Sequence, residues 1–368
     1  MYLKNQILEE PPVSFKVLAI NPGSTSTKIA VYEDDKAIFK DTLRHSAEEL
    51  APFKRITDQY DFRKKAIEDA LSKAGINIKD LSAIIGRGGL FNPIPSGTYE
   101  VNQAMKDCVL EIRNGEHASN LGCLIADDLA RDAGVKSYIV DPVVVDELNP
   151  LARYSGLPEL PRVSIFHALN QKAVARRASK DLGKKYVELN LIVVHLGGGI
   201  SVGIHEKGKV IDVNNALNGD GPFAPERAGS LPTGDLVKMC FSGKYTEDEM
   251  MKKLAGQGGC VSHLGTNDGR EMEEKVKAGD AKTILIIEAM AYQVSKTIGE
   301  MATVVNGKVD AIVLTGSFAY FPEFVEWIKE RVSWIAKVLV YPGEDEMTAL
   351  AEAGMRILKG EEQAREYQ

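Results

Sequence analysis

The sequence has few of the features that mark secreted, membrane-bound or metal-binding proteins. Its four cysteines are scattered, without the paired spacings of zinc sites or redox motifs. No apolar run approaches the ~18 residues that suggest a membrane-spanning helix. The first fourteen residues lack the basic and then apolar pattern of a secretory signal. These absences predict a cytoplasmic protein that does not bind membranes.

Excess positive charge is also missing. The formal net charge is -7, which argues against general affinity for nucleic acid. An anionic substrate would therefore have to be bound by local cations and backbone amides. The content of 44% hydrophobic and 26% charged residues is that of an ordinary globular protein, and 368 residues are enough for two domains.

A polar turn between two strand-like segments dominates the beginning of the chain. Residues 17–20 form an apolar run of strand type and residues 28–32 alternate as a second strand would, so Asn21–Thr27 forms a turn that we name the first glycine turn. Its amides, its hydroxyls and the adjacent Lys28 could hold a phosphate. A polar hairpin loop without a ligand is the alternative. The pattern GxxxxGK[ST] of P-loop enzymes is absent.

Two later segments repeat this pattern of strand and glycine turn. The strand predicted at Leu191–Leu196 leads into the second glycine turn, Gly197–Gly199, and the strand at Val309–Leu314 leads into the third glycine turn, Thr315–Ser317. The first two units lie about 175 residues apart, which suggests a duplicated fold. We expect a cleft between the two halves, with both turns facing it.

Several charged or polar residues lie where ligands are commonly bound. Arg87 lies among glycines that would let a carboxylate or phosphate approach. Asp141 follows a predicted strand and His167 begins a predicted helix. Asp268 precedes a charged helix, where it could simply be the N-cap. Each of these residues also has a purely structural interpretation.

The order of the three turns resembles that of the actin, Hsp70 and sugar kinase superfamily. The resemblance implies an α/β fold with two related, ribonuclease H-like domains and an interdomain nucleotide cleft. We expect an N-terminal domain over residues 1–160, completed by the C-terminal helix in 345–368, and a C-terminal domain over 161–344. The residues after the last helix look solvated.

Longer motifs resemble the acetokinase family, and its butyrate kinase branch in particular. They are NPGSTSTK at 21–28, RVSIFHALN at 162–170, HLGGGIS at 195–201, DGR at 268–270, LTGS at 314–317 and PGEDEMTAL at 342–350. The resemblance implies a kinase that transfers the γ-phosphoryl group of MgATP reversibly to the carboxylate of a short-chain fatty acid, giving an acyl phosphate and ADP. Butyrate or isobutyrate is the expected substrate, and a homo-oligomer the expected assembly.

The same resemblance implies a role for individual residues. Asn21 and Glu346 would help to hold Mg²⁺, with Asp345 as a competitor of Glu346. The catalytic residues would be Asp141, His167 and Arg87. ATP or ADP would be bound by Ser24, Thr25, Ser26, Lys28, His195, Gly197, Gly198, Gly199, Asp268, Arg270, Gly316 and Ser317.

The sequence departs from the acetate kinases at three positions. Ile84 and Pro232 stand where those enzymes have arginines, and Gly198 where they have an asparagine. We infer that Arg87, with Arg227 as a further candidate, neutralises the substrate charge instead. A sugar or polyol kinase and a non-catalytic ATPase switch of the same superfamily remain alternatives.

Overall fold

A computed structural model describes residues 14–368. The described part contains twelve β-strands: β1 Lys16–Pro22, β2 Ser26–Glu33, β3 Lys36–Arg44, β4 Ala83–Arg87, β5 Thr98–Glu100, β6 Lys136–Val140, β7 Asn190–Leu196, β8 Ile200–Glu206, β9 Lys209–Val213, β10 Ala311–Gly316, β11 Val338–Pro342 and β12 Arg365–Glu366. It also contains twelve α-helices: α1 Ala47–Leu50, α2 Tyr60–Lys73, α3 Gln103–Leu110, α4 Leu121–Ala133, α5 Ala168–Asp181, α6 Thr233–Cys240, α7 Glu247–Leu254, α8 Gly259–Leu264, α9 Gly269–Lys277, α10 Ala281–Val304, α11 Pro322–Val332 and α12 Glu346–Leu358. None of the described helices has both the length and the apolar character needed to cross a bilayer.

The chain divides into two compact units, each built on one sheet. The first unit comprises residues 1–89, 98–140 and 350–368, of which 14 onwards are described, and the second comprises residues 90–97 and 141–349. The first sheet has the strand order β12-β5-β6-β4-β1-β2-β3, and the second β11-β10-β7-β8-β9. Each sheet contains an antiparallel meander of three strands, and the first strand of that meander pairs in parallel with a later strand, β4 in the first sheet and β10 in the second. This repeated topology confirms the predicted α/β fold with two related halves.

The first sheet is built from apolar strands that place polar residues at their carboxyl ends. Val17, Leu18 and Ile20 of β1 are fully buried, as β-branched and aliphatic residues favour in a central strand. β1 pairs in parallel with β4, and β4 in parallel with β6. The carboxyl ends of these strands therefore share one edge of the sheet, the edge at which open α/β folds bind ligands.

The second sheet is covered by long helices. α10 begins at the N-cap Asp280, whose carboxylate accepts a hydrogen bond from the amide of Thr283 at 2.7 Å. Its buried face, including Met290 and Val294, packs in one core with strand residues such as Ile192. A second cluster, which includes Ala175 of α5 and Val193, lies elsewhere in the unit. The carboxyl ends of β7 and β10 are adjacent, because these strands pair in parallel.

The structure differs from the expected organisation at two places. Residues 141–160 group with the second unit, where Val145 and Ala152 share a core with Phe166 and Val213. The expected first domain extended to residue 160. The domain boundaries themselves remain a prediction. The residues after α12 were expected to be solvated, but β12 pairs with β5 and Tyr367 is buried. Eight of the ten residues 359–368 are nevertheless exposed, so the end of the chain is solvated as predicted, apart from the buried Tyr367 and the strand pairing of β12.

Candidate active site

The first glycine turn connects β1 to β2 and exposes two of its hydroxyl side chains. The amide of Gly23 donates to the carbonyl of Ser26 at 2.7 Å, which closes the turn. Ser24, Thr25 and Lys28 are exposed, and Ser26 is half-buried, whereas Thr27 is fully buried. Two hydroxyls and one ammonium group are thus available to an anionic ligand, while Thr27 belongs to the support below the turn.

That support is a buried arginine that sequence reasoning missed. Arg63 of α2 has no exposed surface. Its guanidinium donates to the carbonyls of Gly23, Ser24 and Ser26 at 2.7, 3.0 and 3.2 Å and to Thr27 Oγ1 at 3.1 Å. Gln59 Oε1 accepts two further hydrogen bonds. These hydrogen bonds hold the carbonyls of the turn towards Arg63, and they therefore fix the backbone conformation of the turn.

The predicted metal ligand Asn21 and the predicted catalytic Arg87 are in contact. Asn21 is the penultimate residue of β1 and is buried, and Arg87 is the last residue of β4. Nη1 of Arg87 donates to Asn21 Oδ1 at 3.2 Å. The pKa of the neighbouring His117 is lowered, first by desolvation and then by the positive charge of Arg87. Strand pairing thus brings an arginine and an amide oxygen together beside the first glycine turn.

Asp141 lies in a strained and fully engaged position. Its φ of 38° is in the left-handed region, which is unusual for a residue with a side chain and is often found at functional sites. Its buried carboxylate accepts hydrogen bonds from Ser96 Oγ at 2.6 Å and from the amide of Gly97 at 2.9 Å. Arg176 of α5 lies 3.4 Å from the other oxygen. Asp141 is therefore held rigidly at the start of the second unit.

His167 and His195 form a stacked pair next to the second glycine turn. Their ring centroids are 3.7 Å apart and the planes differ by 9°. His195 lies on β7, with Nδ1 2.8 Å from Asn170 Oδ1 and Nε2 2.9 Å from a carboxylate oxygen of Glu344. A Cβ at Gly199 would lie 3.7 Å from Cε1 of His167. The predicted catalytic histidine therefore borders the turn that was predicted to wrap the phosphates.

Four of the predicted nucleotide-binding residues line one cavity of ≈ 700 Å³ within the second unit: Gly198, Asp268, Arg270 and Ser317. This volume is typical of small-molecule sites. The aromatic residues Phe318, Tyr320 and Phe321 also line it. Asp268 is also the N-cap of α9, accepting from the amide of Arg270 at 2.8 Å. The structural interpretation of Asp268 is thus correct, and it does not conflict with a place in the cavity.

The third glycine turn, whose Ser317 lines this cavity, contains a glycine that no other residue could replace without strain. Gly316 has a φ of 90°, and a Cβ there would lie 2.3 Å from the carbonyl oxygen of Leu196. Gly316 and Gly343 exchange two backbone hydrogen bonds at 3.1 and 2.9 Å. The ends of β7 and β10 therefore approach closely enough to place two glycine turns side by side.

Glu226 and Arg227, in the long irregular segment after β9, lie against the second glycine turn. The amide of Glu226 donates to the carbonyl of Gly198 at 3.0 Å, and its carboxylate would lie 3.3 Å from a Cβ at Gly198. Arg227 lies beside Gly199, and its buried Nε has no hydrogen-bond partner among the described residues. Gly198 stands where acetate kinases have an asparagine, so no side chain lies between this position and the Glu226 carboxylate.

The two candidate metal ligands near α12 differ in their surroundings. Asp345 Oδ1 accepts from the amide of Thr348 at 3.1 Å, so this carboxylate caps α12. Glu346 is the first residue of the helix. Among residues 14–368, no group of three or more histidine, cysteine or acidic side chains could hold a metal ion by itself. A metal at this site would need oxygen ligands from elsewhere, such as a nucleotide.

The comparisons with known proteins can now be set beside this geometry. A sequence model of the acetokinase family matches residues 161–364. The chain is 57% identical over 353 residues to Butyrate kinase 1 of Clostridium acetobutylicum, covering 96% of this chain and 99% of that protein.

The chain belongs to the acetokinase family. This membership, and its place in the butyrate kinase branch, confirm the resemblance carried by the sequence motifs. Solved structures of the family share the fold at low identity. Porphyromonas gingivalis acetate kinase has a TM-score of 0.77 at 20% identity, covering 94% of this chain and 100% of that one. A propionate kinase from Francisella tularensis has a TM-score of 0.71 at 18% identity, covering 92% and 98%.

Family membership leaves the roles of individual residues as predictions. Within each unit the structure does collect the predicted residues: Asn21, Lys28 and Arg87 belong to the first, and the histidine pair, the second and third glycine turns and the cavity to the second. Sequence reasoning missed Arg63, Glu344 and the aromatic cavity residues. Of these, only Phe318 and Tyr320 could have been found from the sequence, because they lie within three residues after the motif LTGS.

Proposed function

We propose that this chain is a butyrate kinase-like enzyme that transfers the γ-phosphoryl group of ATP reversibly to the carboxylate of butyrate or isobutyrate. The observation that carries the proposal is the 57% identity to Butyrate kinase 1 along almost the entire chain. In the reaction, a carboxylate oxygen forms a bond to the γ-phosphorus while the bond from that phosphorus to the bridging oxygen of ADP breaks. No finding favours the sugar kinase or ATPase alternatives.

The chemistry requires little covalent help from the protein. A carboxylate is already a nucleophile at neutral pH and needs no general base. Catalysis then depends on alignment and on neutralising the charge that develops on the moving phosphoryl group. We assign this neutralisation to Arg87, with Arg227 as a further cation, and a hydrogen bond donated to the moving phosphoryl group to His167; Arg87 would also orient the acid.

Each unit carries groups that are predicted to bind the nucleotide. In the first unit, Ser24, Thr25, Ser26 and Lys28 would contact phosphates. In the second, the amides of Gly197–Gly199, beside His195, would do so, and the ≈ 700 Å³ cavity would hold adenosine between its aromatic residues and Arg270. ATP and ADP are the expected nucleotides of this family.

Mg²⁺ suits the oxygen donors that the chain offers. An amide oxygen at Asn21 and a carboxylate at Glu346 are hard ligands of the type that this ion prefers, and Mg²⁺ is commonly bound through one or two protein groups plus phosphates and water. We assign this role to Glu346, with Asp345, whose carboxylate caps α12, as its competitor. When bound, the ion would offset negative charge on the phosphates. Asp141, held by Ser96 and Gly97, would be the rigid acidic residue of the site.

A direct test is to trap the acyl phosphate with hydroxylamine. The protein is incubated with ATP, Mg²⁺ and a panel of acids from acetate to valerate, including isobutyrate, and the hydroxamate is measured. We expect product with butyrate or isobutyrate above acetate. If no acid gives hydroxamate while the protein still binds ATP, the proposed function is wrong. The homo-oligomeric state and cytoplasmic location remain predictions.

Two variants test the assigned roles. His167→Ala removes a donor whose counterpart in comparable sites contributes about 2.7–4 kcal/mol, so turnover should fall about 100-fold or more while ATP binding is retained. Arg87→Ala should chiefly raise the KM for the acid. His263→Ala and Arg113→Ala, which change exposed residues on α8 and after α3, are matched controls that should leave both constants unchanged. Full turnover by the His167 variant would make that histidine structural.

A further inference from the structure

A chain of hydrogen bonds lies behind His167, in the interior of the second unit. Tyr186 Oη lies 2.6 Å from His205 Nδ1, and His205 Nε2 lies 2.9 Å from Gln171 Oε1. Gln171 Nε2 lies 2.8 Å from Ser201 Oγ, which in turn lies 2.9 Å from His167 Nδ1. Gln171, Ser201 and His205 have no exposed surface. Water therefore does not compete for these hydrogen bonds.

One backbone carbonyl determines which groups donate and which accept in this series of hydrogen bonds. The carbonyl oxygen of Ser201, which can only accept, lies 3.1 Å from one end of the Gln171 amide, so that end is the NH₂ group. Its other end is then the oxygen, which faces His205 Nε2 and can only accept. His205 therefore carries a proton on Nε2.

The hydrogen bond between Tyr186 and His205, at the other end of the series, is consistent with this assignment of donors and acceptors. Burial, together with the positive charges of Lys172 and Arg176, holds the pKa of His205 well below its usual range, so the ring is neutral and its Nδ1 is an acceptor. Burial also raises the pKa of Tyr186 well above its usual range, so the phenol keeps its proton and donates to that Nδ1. Both partners of His205 are thus satisfied in a single arrangement.

The near end then determines the state of His167. Because Gln171 donates to Ser201 Oγ, the serine hydroxyl has its own proton available for His167 Nδ1. An imidazole nitrogen that accepts a hydrogen bond carries no proton, and the tautomer is set by this bond. We propose that Gln171 and Ser201 are positioning residues that hold neutral His167 in the tautomer with its proton on Nε2.

The strand opposite Gln171 is shaped to admit this amide. Gly203 of β8 has no side chain, and a Cβ there would lie 2.7 Å from Gln171 Oε1. The stacked His195 also disfavours the state in which both histidines are protonated, because two protonated imidazoles with centroids 3.7 Å apart would repel each other. The tautomer assignment does not depend on the proposed function. Its use does rest on that function, since the Nε2 proton would then be the one donated to the transferring group.

The tautomer can be measured in the full chain without any substrate. The protein is labelled with ¹⁵N-histidine, and NMR at pH 8 correlates the imidazole nitrogens with the ring protons. The signals of His167 are assigned among those of the six histidines as the set that is lost in His167→Gln. We expect an unprotonated Nδ1 and a protonated Nε2. A His167 ring that is protonated on Nδ1, or on both nitrogens, would overturn the proposal.

Removing the serine hydroxyl tests the positioning role. Ser201→Ala should give a mixture of both tautomers at His167 and lower kcat about tenfold, with the KM for ATP within about twofold. The matched control is Ser179→Ala, a buried serine of α5 whose hydroxyl donates only to the carbonyl of Arg176 at 2.7 Å. It should change neither readout. An unchanged tautomer and an unchanged kcat in Ser201→Ala would contradict the positioning role.

The two proposals fail separately. Absence of hydroxamate would remove the proposed function but leave the measured tautomer. Conversely, an Nδ1-protonated His167 in a protein that forms butyryl phosphate would remove only the positioning role of Gln171 and Ser201.

Discussion

Replacing Arg63 with methionine would remove the guanidinium that supports the first glycine turn while keeping a side chain of similar length. In residues 14–368, no carboxylate forms an ion pair with Arg63, and its partners are neutral oxygens only. Its positive charge is therefore balanced by dipoles rather than by an acid. That arrangement suits a turn meant to receive an anion, since no local carboxylate cancels the charge.

The cost of the substitution follows from which acceptors remain buried. The carbonyls of Gly23, Ser24 and Ser26 lie in a partly exposed turn and can bond to water. Gln59 Oε1 and Thr27 Oγ1 are buried, and an unsatisfied buried acceptor costs about 1–3 kcal/mol. Thr27 Oγ1 keeps its contact with His45 Nε2 at 2.9 Å, and losing an unpaired buried charge offsets part of the cost. The unsatisfied Gln59 Oε1 is then the main cost, and we expect a net loss of about 1–3 kcal/mol.

Three measurements follow this change. Urea unfolding should give a lower midpoint, and amide exchange around the first glycine turn should accelerate. The KM for ATP should also rise, because the turn is no longer fixed. Lys65→Met, two residues away on the exposed face of α2, is the matched control and should change stability by less than about 0.5 kcal/mol. An Arg63→Met protein with the wild-type urea midpoint and KM would refute the reasoning.

The pH dependence of stability and the glycine positions give two further predictions. Burial lowers the pKa values of His45 and His205 from 6.5, so below pH 6.5 the unfolded chain binds more protons than the folded one. The free energy of unfolding should therefore fall as pH falls, by up to about 1.4 kcal/mol per pH unit for each histidine. Urea midpoints from pH 7.5 to 5 would show this slope, and His205→Asn should reduce it; a flat profile would contradict the argument. Gly316→Ala should destabilise strongly, because its Cβ would meet the Leu196 carbonyl at a φ of 90°, whereas Gly299→Ala in α10, where a Cβ meets nothing within 4 Å, should add about 0.5–1 kcal/mol. Equal unfolding midpoints for these two glycine variants would be inconsistent with the described strand ends.

Local patterns in the sequence were sufficient for the elements that carry the candidate site. The apolar pattern of residues 281–305 predicts a long helix, and α10 ends at Val304, one residue from that bound. The spacing of Thr246 and Glu249 predicts a capping box, and that capping box is present at α7. These features depend on neighbouring residues along the chain, as hydrophobic periodicity and capping do. The three glycine turns each follow a strand, as predicted.

Contacts between distant residues could not be predicted in the same way. Arg63 follows Phe62 and precedes two lysines, so the pattern assigns it to the solvated face of α2. In the structure it belongs to the buried stripe with Ile67 and Leu71. Similarly, Gln171 and Ser201 meet only because α5 packs near β8 across 30 positions of sequence. Periodicity counts apolar residues and therefore misses buried polar ones.

The last strand has a consequence for how the protein is made. The first sheet ends in β12, and Thr98 donates its backbone amide to Glu362 at 2.9 Å, so residues 350–368 complete a unit that otherwise consists of residues before 141. On the ribosome, the whole of the second unit is synthesised before this final piece emerges. The unit that contains residues 14–89 and 98–140 is thus completed only after residues 141–349 have been synthesised, and the β5 edge of its sheet lacks its partner β12 until then.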